Sequence, residues 1–161
     1  MTATLPTDLS IAVLAQATPL IVLGLMASWL DLRHRRIPNW LCGTLALAGL
    51  AFAGLFGGGA TLLQHAIHSF AALLVGMVLF RFGVFGGGDA KFYAAVAAWF
   101  PLALGGRLAL YVGLAGLGLL VVWFVSRRLM GKKLRPTNPT IYDELPYGIA
   151  IALGAFVALF R

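Results

Sequence analysis

The chain of 161 residues is 61% hydrophobic and 11% charged, with a mean hydropathy of +0.94, which excludes an ordinary soluble domain and predicts an all-α integral membrane protein. Its one cysteine, Cys42, excludes an internal disulfide framework and a four-cysteine zinc site. The net charge of +7 is explained by the enrichment of Lys and Arg in cytoplasmic loops, so no nucleic-acid partner is expected.

Six apolar stretches predict about six transmembrane helices in a single domain over residues 1–161. The predicted spans are residues 9–30, 40–56, 65–82, 90–104, 107–125 and 146–160. A glycine triplet starting at Gly57 ends the second span, and Pro101 bends or ends the fourth. The fourth is only about 22 Å long against a hydrocarbon core of roughly 30 Å, so we expect Asp89 to lie below the headgroups in a dip open to water.

The distribution of basic residues predicts the orientation in the membrane. Ten of the twelve Lys and Arg residues fall at the loops after the first, third and fifth spans, leaving Arg107 and Arg161 on the other side. The ten are Arg33, Arg35, Arg36, Arg81, Lys91, Arg127, Arg128, Lys132, Lys133 and Arg135. This bias predicts that these loops are cytoplasmic, touching anionic lipid heads, and that both termini are non-cytoplasmic. Because successive loops alternate between the two sides, the same assignment places Asp31 and Asp89 at the cytoplasmic face.

Two isolated carboxylates are the candidates for chemistry in a chain with only five acidic residues. Asp31 ends the first apolar stretch and opens the charged loop that precedes the second span, and Asp89 follows three glycines. Two carboxyl groups in a poorly solvated site share one proton, because like charges repel. The ionised group can then take a proton from water while the protonated one donates to a scissile carbonyl. The pair therefore predicts an aspartic endopeptidase.

The three glycines, Gly86, Gly87 and Gly88, suit this chemistry because a main chain without Cβ atoms lets an extended peptide approach and pair with it. Plainer roles remain open for both acids. Asp89 could cap the fourth helix, and Asp31 could pair with Arg35 if the first helix continues that far.

Other reactive side chains have simpler explanations. His65 and His68 are three residues apart, but no further metal ligand is evident near them, so we expect interfacial histidines and no metal site. Asp143 and Glu144 are expected to balance the nearby basic cluster. Two other functions stay open, a proton-coupled transporter and a non-catalytic assembly subunit. Transport sites normally lie near the bilayer midplane, whereas both aspartates are predicted at helix ends on one face.

Three motifs, in the expected order along the chain, resemble those of the type IV prepilin peptidases, the GxGD membrane aspartic proteases. Gly86-Gly87-Gly88-Asp89-Ala90-Lys91 resembles their GxGD-x-K signature, and Asp31 followed by Arg36-Ile37-Pro38-Asn39 resembles their first aspartate with its R-x-I-P-N. Pro146-Tyr147-Gly148-Ile149-Ala150 resembles the P-[YF]-G-x-A element that opens the last helix. The resemblance implies the GxGD protease fold, with Asp31 and Asp89 as the catalytic pair and no cofactor.

The resemblance further implies the substrate and the location. It implies a prepilin whose short basic leader is cut at the cytoplasmic face of the bacterial inner membrane. Only a few residues separate Asp31 from the second span, with no cysteine-bearing insertion, so the chain looks like the compact peptidase-only members that serve tight-adherence (Flp-type) pili, and N-methyltransferase activity is not expected.

The candidate substrate-binding residues are Gly86, Gly87, Gly88, Lys91, Pro146, Tyr147 and Gly148. Lys91 lies two positions after Asp89, so on a regular helix the two side chains do not face each other. We expect Lys91 to bind lipid, leader or loop backbone and to have no catalytic role.

Overall fold

The computed structural model describes residues 7–131 and 145–160, with side chains from residue 16 onward, and this part of the chain contains helices and no strand. The helices are α1 (Thr7–His34), α2 (Asn39–Arg81), α3 (Gly87–Ala97), α4 (Gly105–Leu129) and α5 (Tyr147–Phe160), with a 3₁₀ turn at Leu102–Leu104 before α4. The all-helical prediction is confirmed for the described residues.

Helix α2 is a hairpin bent at one residue. The sequence predicted a break over residues 57–64. In the structure, the non-helical angles inside α2 are those of Gly58, with a φ of 75° and a ψ of −175°. A side chain is strained at such a φ, which explains a glycine there. The two arms, residues 39–57 and 59–81, run antiparallel, because both free ends meet the first turn of α3. Asn39 bonds Lys91 at one end, and Phe80 packs on Gly87 at the other.

Membrane insertion is indicated by length, composition and exposure. Two helical stretches, Asn39–Arg81 and Leu102–Leu129, are long and apolar enough to cross a membrane, and Tyr147–Phe160 is a shorter apolar helix. Large apolar side chains such as Leu55 and Val122 are exposed on them. Apolar outer faces of this extent are expected where lipid replaces water.

Helix α3 lies at the centre of the fold and ends earlier than predicted. It stops at Ala97 instead of residue 104, and Pro101 follows in extended conformation. The turn after α3 is enclosed, since Ala98, Trp99 and Phe100 are at most 2% exposed. Irregular backbone at membrane depth needs partners within the protein. The indole Nε1 of Trp99 accordingly donates to the Leu45 carbonyl at 3.0 Å.

Three side chains from other helices satisfy the carbonyls of this turn. Gln16 Nε2 donates to the oxygen of residue 99 at 3.0 Å. His65 Nδ1 and His68 Nδ1 each lie 2.9 Å from a main-chain oxygen, of Ala98 and Phe100 respectively. A carbonyl can only accept, so both Nδ1 atoms carry the proton. The expectation of interfacial histidines is wrong, because each is 5% exposed and serves to end α3 inside the protein.

Helix α5 packs between α1 and α4 through small residues. Gly24 faces Ala152 across the α1–α5 contact, and Gly154 lies directly against Val112 of α4. Glycine and alanine let helix backbones approach closely in a membrane protein. Ser28 of α1 adds a hydrogen bond to the main chain at the start of α5, at 3.2 Å. This packing brings the first turn of α5 beside the last turns of α1.

Candidate active site

One cavity of about 530 Å³ lies between the end of α1, the start of α2 and the start of α3. Both predicted catalytic residues, Asp31 and Asp89, line it, although they lie far apart in the sequence. The rest of its lining is Arg35, Arg36, Ile37, Pro38, Asn39, Gly86, Gly87, Gly88, Lys91 and Leu145. The structure thus brings the first two motifs together around two carboxylates.

Asp31 is held by the start of α5. Helix α1 continues to His34, so Asp31 lies within its last turns instead of opening a loop, and the side chain is 8% exposed. The main-chain N–H of Gly148 donates to Asp31 Oδ2 at 3.0 Å. A helix N-terminus with a free N–H favours the ionised carboxylate. The start of α5 therefore stabilises negative charge on Asp31 through its main chain.

Residue 148 must be glycine for this contact. A Cβ there would lie 2.9 Å from Oδ2 of Asp31 and 3.1 Å from its Cβ, closer than real Cβ atoms normally come. The third motif therefore supports Asp31 because a glycine main chain, which has no Cβ, can lie directly against the carboxylate.

Asp89 lies in the first turn of α3. The helix begins at Gly87, three residues before the predicted start, and its N-cap residue Gly86 has no side-chain capping bond. Asp89 is therefore the third residue of the helix and not its N-cap residue. Its carboxylate folds back over Gly86, where a Cβ would lie 2.5 Å from Oδ2. An acid in the first turn is favoured by the helix dipole.

Lys91 joins the first two motifs directly. Its Nζ donates to Oδ1 of Asn39 at 3.0 Å, which links the first turn of α3 to the first residue of α2. Both side chains are exposed at the cavity rim. Sequence reasoning expected lipid, leader or loop backbone as the partner and missed this side chain.

The predicted substrate-binding residues fall into two groups. Lys91 and the three glycines line the cavity, whereas the third motif stands behind Asp31 and does not. Pro146 is buried, and the ring of Tyr147 meets Phe85 edge-on with centroids 5.3 Å apart. The Tyr147 hydroxyl lies against α4, where a Cβ at Gly116 would be 2.7 Å away.

Arg35 follows the last turn of α1, four residues after Asp31. The main-chain N–H of Arg35 donates to the Asp31 carbonyl at 2.8 Å, and Arg35 has a φ of 54°. Its Nε and Nη1 atoms are enclosed and have no hydrogen-bond partner within residues 7–131 and 145–160. Neither of these two nitrogens therefore donates a hydrogen bond to the Asp31 carboxylate. Arg35 lies outside all three motifs.

One comparison with known proteins identifies a family. Residues 19–125 match the model of the type IV leader peptidase family, a range that contains both aspartates and ends before α5. No curated protein and no solved structure matches the chain. The matched range covers well over half of the sequence. The chain belongs to the type IV leader peptidase family.

Proposed function

We propose that the protein is a membrane aspartic endopeptidase that removes the short basic leader from Flp-like prepilins. The observation that carries the proposal is the shared cavity, which Asp31 of α1 and Asp89 of α3 both line. The match to a leader peptidase family supports protease activity and a prepilin substrate. The aspartic mechanism rests on the two carboxylates.

The proposed reaction uses the pair as a unit with one shared proton. A water molecule attacks the scissile carbonyl carbon, the ionised carboxylate takes its proton, and the protonated carboxyl donates to the carbonyl oxygen. Collapse of the tetrahedral intermediate breaks the C–N bond, and a proton passes to the leaving amine. The N–H of Gly148 keeps Asp31 oriented throughout. No metal or cofactor enters these steps.

The proposed setting is the bacterial inner membrane, with about six crossings and the cavity at the cytoplasmic face. The two arms of α2 provide two of the crossings, and the Lys and Arg bias orients the chain with both termini non-cytoplasmic. Membrane lipids contact the outer faces. The short connection from α1 to α2 leaves no insertion of the kind that bears cysteines, so we propose a peptidase without N-methyltransferase activity.

The test is co-expression with a Flp-like prepilin, scored by the gel shift of the precursor. Asp31→Asn and Asp89→Asn should each abolish processing while the protein still accumulates in the membrane, because neither amide can act as base or acid. Asp8→Asn, which changes an acid predicted on the opposite side, should process normally. Maturation at a near wild-type rate by either cavity variant would refute the catalytic pair.

A further inference from the structure

Arg35 ends α1 in a conformation that L-residues rarely adopt. Its φ of 54° lies in the left-handed region, and its N–H closes the last turn on the Asp31 carbonyl. Glycine is the usual residue at such a position and asparagine the next, because a Cβ atom is strained there and glycine has none. Here the strained residue is an arginine, and its side chain lines the cavity. Arg33, two residues earlier, is exposed and does not line it.

The guanidinium of Arg35 presents unused donors. Nε and Nη1 are enclosed, yet neither has an acceptor among the residues that the structure describes. An enclosed donor on a charged group is costly without a partner, so the arrangement is stabilised when an acceptor enters the cavity. Nε and Nη1 do not share an edge of the guanidinium plane, so one carboxylate cannot satisfy both. Two separate acceptors are required.

The surroundings narrow the nature of these acceptors. The lining balances the carboxylates of Asp31 and Asp89 with the cations Arg35, Arg36 and Lys91, so the choice of acceptor follows from the number required, which is two separate ones. The glycines Gly86, Gly87 and Gly88 line it as well and leave room for a peptide main chain. Neutral carbonyl oxygens, repeated along an extended peptide, meet both conditions.

We propose that Arg35 is a substrate-binding residue whose Nε and Nη1 donate to two main-chain carbonyl oxygens of the peptide being cleaved. This inference rests on the proposed function. It predicts binding that does not depend on the substrate's side chains, because the contacts are made with its main chain.

The test measures kcat and KM of the purified enzyme on a Flp-like prepilin in detergent micelles. Arg35→Gln should raise KM about tenfold or more with kcat little changed, because the lost bonds hold the ground state and the transition state alike. Arg35→Lys should recover only part of the loss, since an ammonium cannot reproduce donors fixed in a plane. Arg33→Gln, in the same basic stretch but outside the cavity, should leave KM unchanged.

A second substrate identifies the acceptor. A prepilin in which the acidic residues near the scissile bond are changed to amides should show the same KM ratio between wild type and Arg35→Gln. A ratio that collapses to one with this substrate would assign the contact to a side chain and overturn the proposal. So would an unchanged KM in Arg35→Gln, or a loss confined to kcat and thermal stability.

Direct binding separates this inference from the proposed function. Prepilin affinity is measured for Asp89→Asn with and without Arg35→Gln, where no cleavage is needed. Weaker binding by the same factor supports the role of Arg35 even if the wild-type enzyme failed to cleave, a failure that would count against the proposed function alone. Equal affinities would refute the role of Arg35 even with an active enzyme.

Discussion

Substitution of Gly148 by alanine gives the sharpest test of how Asp31 is held. The alanine keeps the N–H that donates to Asp31 Oδ2 but adds a Cβ only 2.9 Å from that oxygen. The neighbours of this Cβ are the oxygen, Cγ and Cβ of one side chain in a helix, with little freedom to move away. Relief therefore requires α1 and α5 to separate, or the carboxylate to rotate, by about half an ångström.

The expected loss follows from that displacement. Misplacing a catalytic group by up to 1 Å costs as much as about a hundredfold in rate, and we expect kcat of Gly148→Ala to fall by roughly ten- to a hundredfold. Prepilin KM should change little, because residue 148 does not line the cavity. Overpacking should also lower the free energy of unfolding by about 1–3 kcal/mol.

The assay is steady-state cleavage of a Flp-like prepilin by purified protein, with thermal unfolding in the same detergent. Gly118→Ala is the matched control, because a Cβ there meets nothing within 4 Å. It should leave kcat unchanged. Wild-type kcat in Gly148→Ala, with the protein folded, would show that Asp31 does not depend on the close approach of α5.

Three further substitutions test contacts around the site. Lys91→Met and Asn39→Ala should each reduce processing a few-fold, and the double variant should be no worse than either, since one hydrogen bond joins them. Gly58→Ala should destabilise the protein by about 1 kcal/mol or more, because its φ is 75°, whereas Gly59→Ala should not, as measured by thermal unfolding. His65→Phe should cost about 1–3 kcal/mol by orphaning a buried carbonyl, with partial recovery in His65→Gln.

That Asp31 and Asp89 line one cavity was predictable, because the prediction needed only the lengths of the apolar segments and the distribution of Lys and Arg between the loops. Apolar stretches and the Lys and Arg bias determine which helix ends lie on the same side, and two lone acids at such ends have few other places to meet. The bend of α2 was also predictable in position, because the glycine triplet is visible in the sequence. Its sharpness was not, because one residue with positive φ is enough to reverse the helix.

The role of the two histidines could not be predicted from spacing. Histidines three residues apart suggest a ligand pair or an interfacial position, and both interpretations look for partners among side chains. Their partners are main-chain oxygens of a turn that exists only because α3 stops early inside the protein. Such a contact is determined by tertiary packing, which also extends α3 back through two glycines against Phe80 of α2 and Ile37.

The two aspartates share an electrostatic feature that neither motif shows alone. Asp89 lies in the first turn of α3, and Asp31 accepts an N–H from the first turn of α5, so two helix N-termini point toward the pair. Each N-terminus carries roughly half a positive charge, which offsets part of the repulsion between the carboxylates and stabilises a single negative charge shared by them. Because the main chain supplies this field, the site requires close approach at Gly86 and Gly148. Added bulk at those glycines should therefore impair catalysis more than the loss of an exposed charge in the same loops.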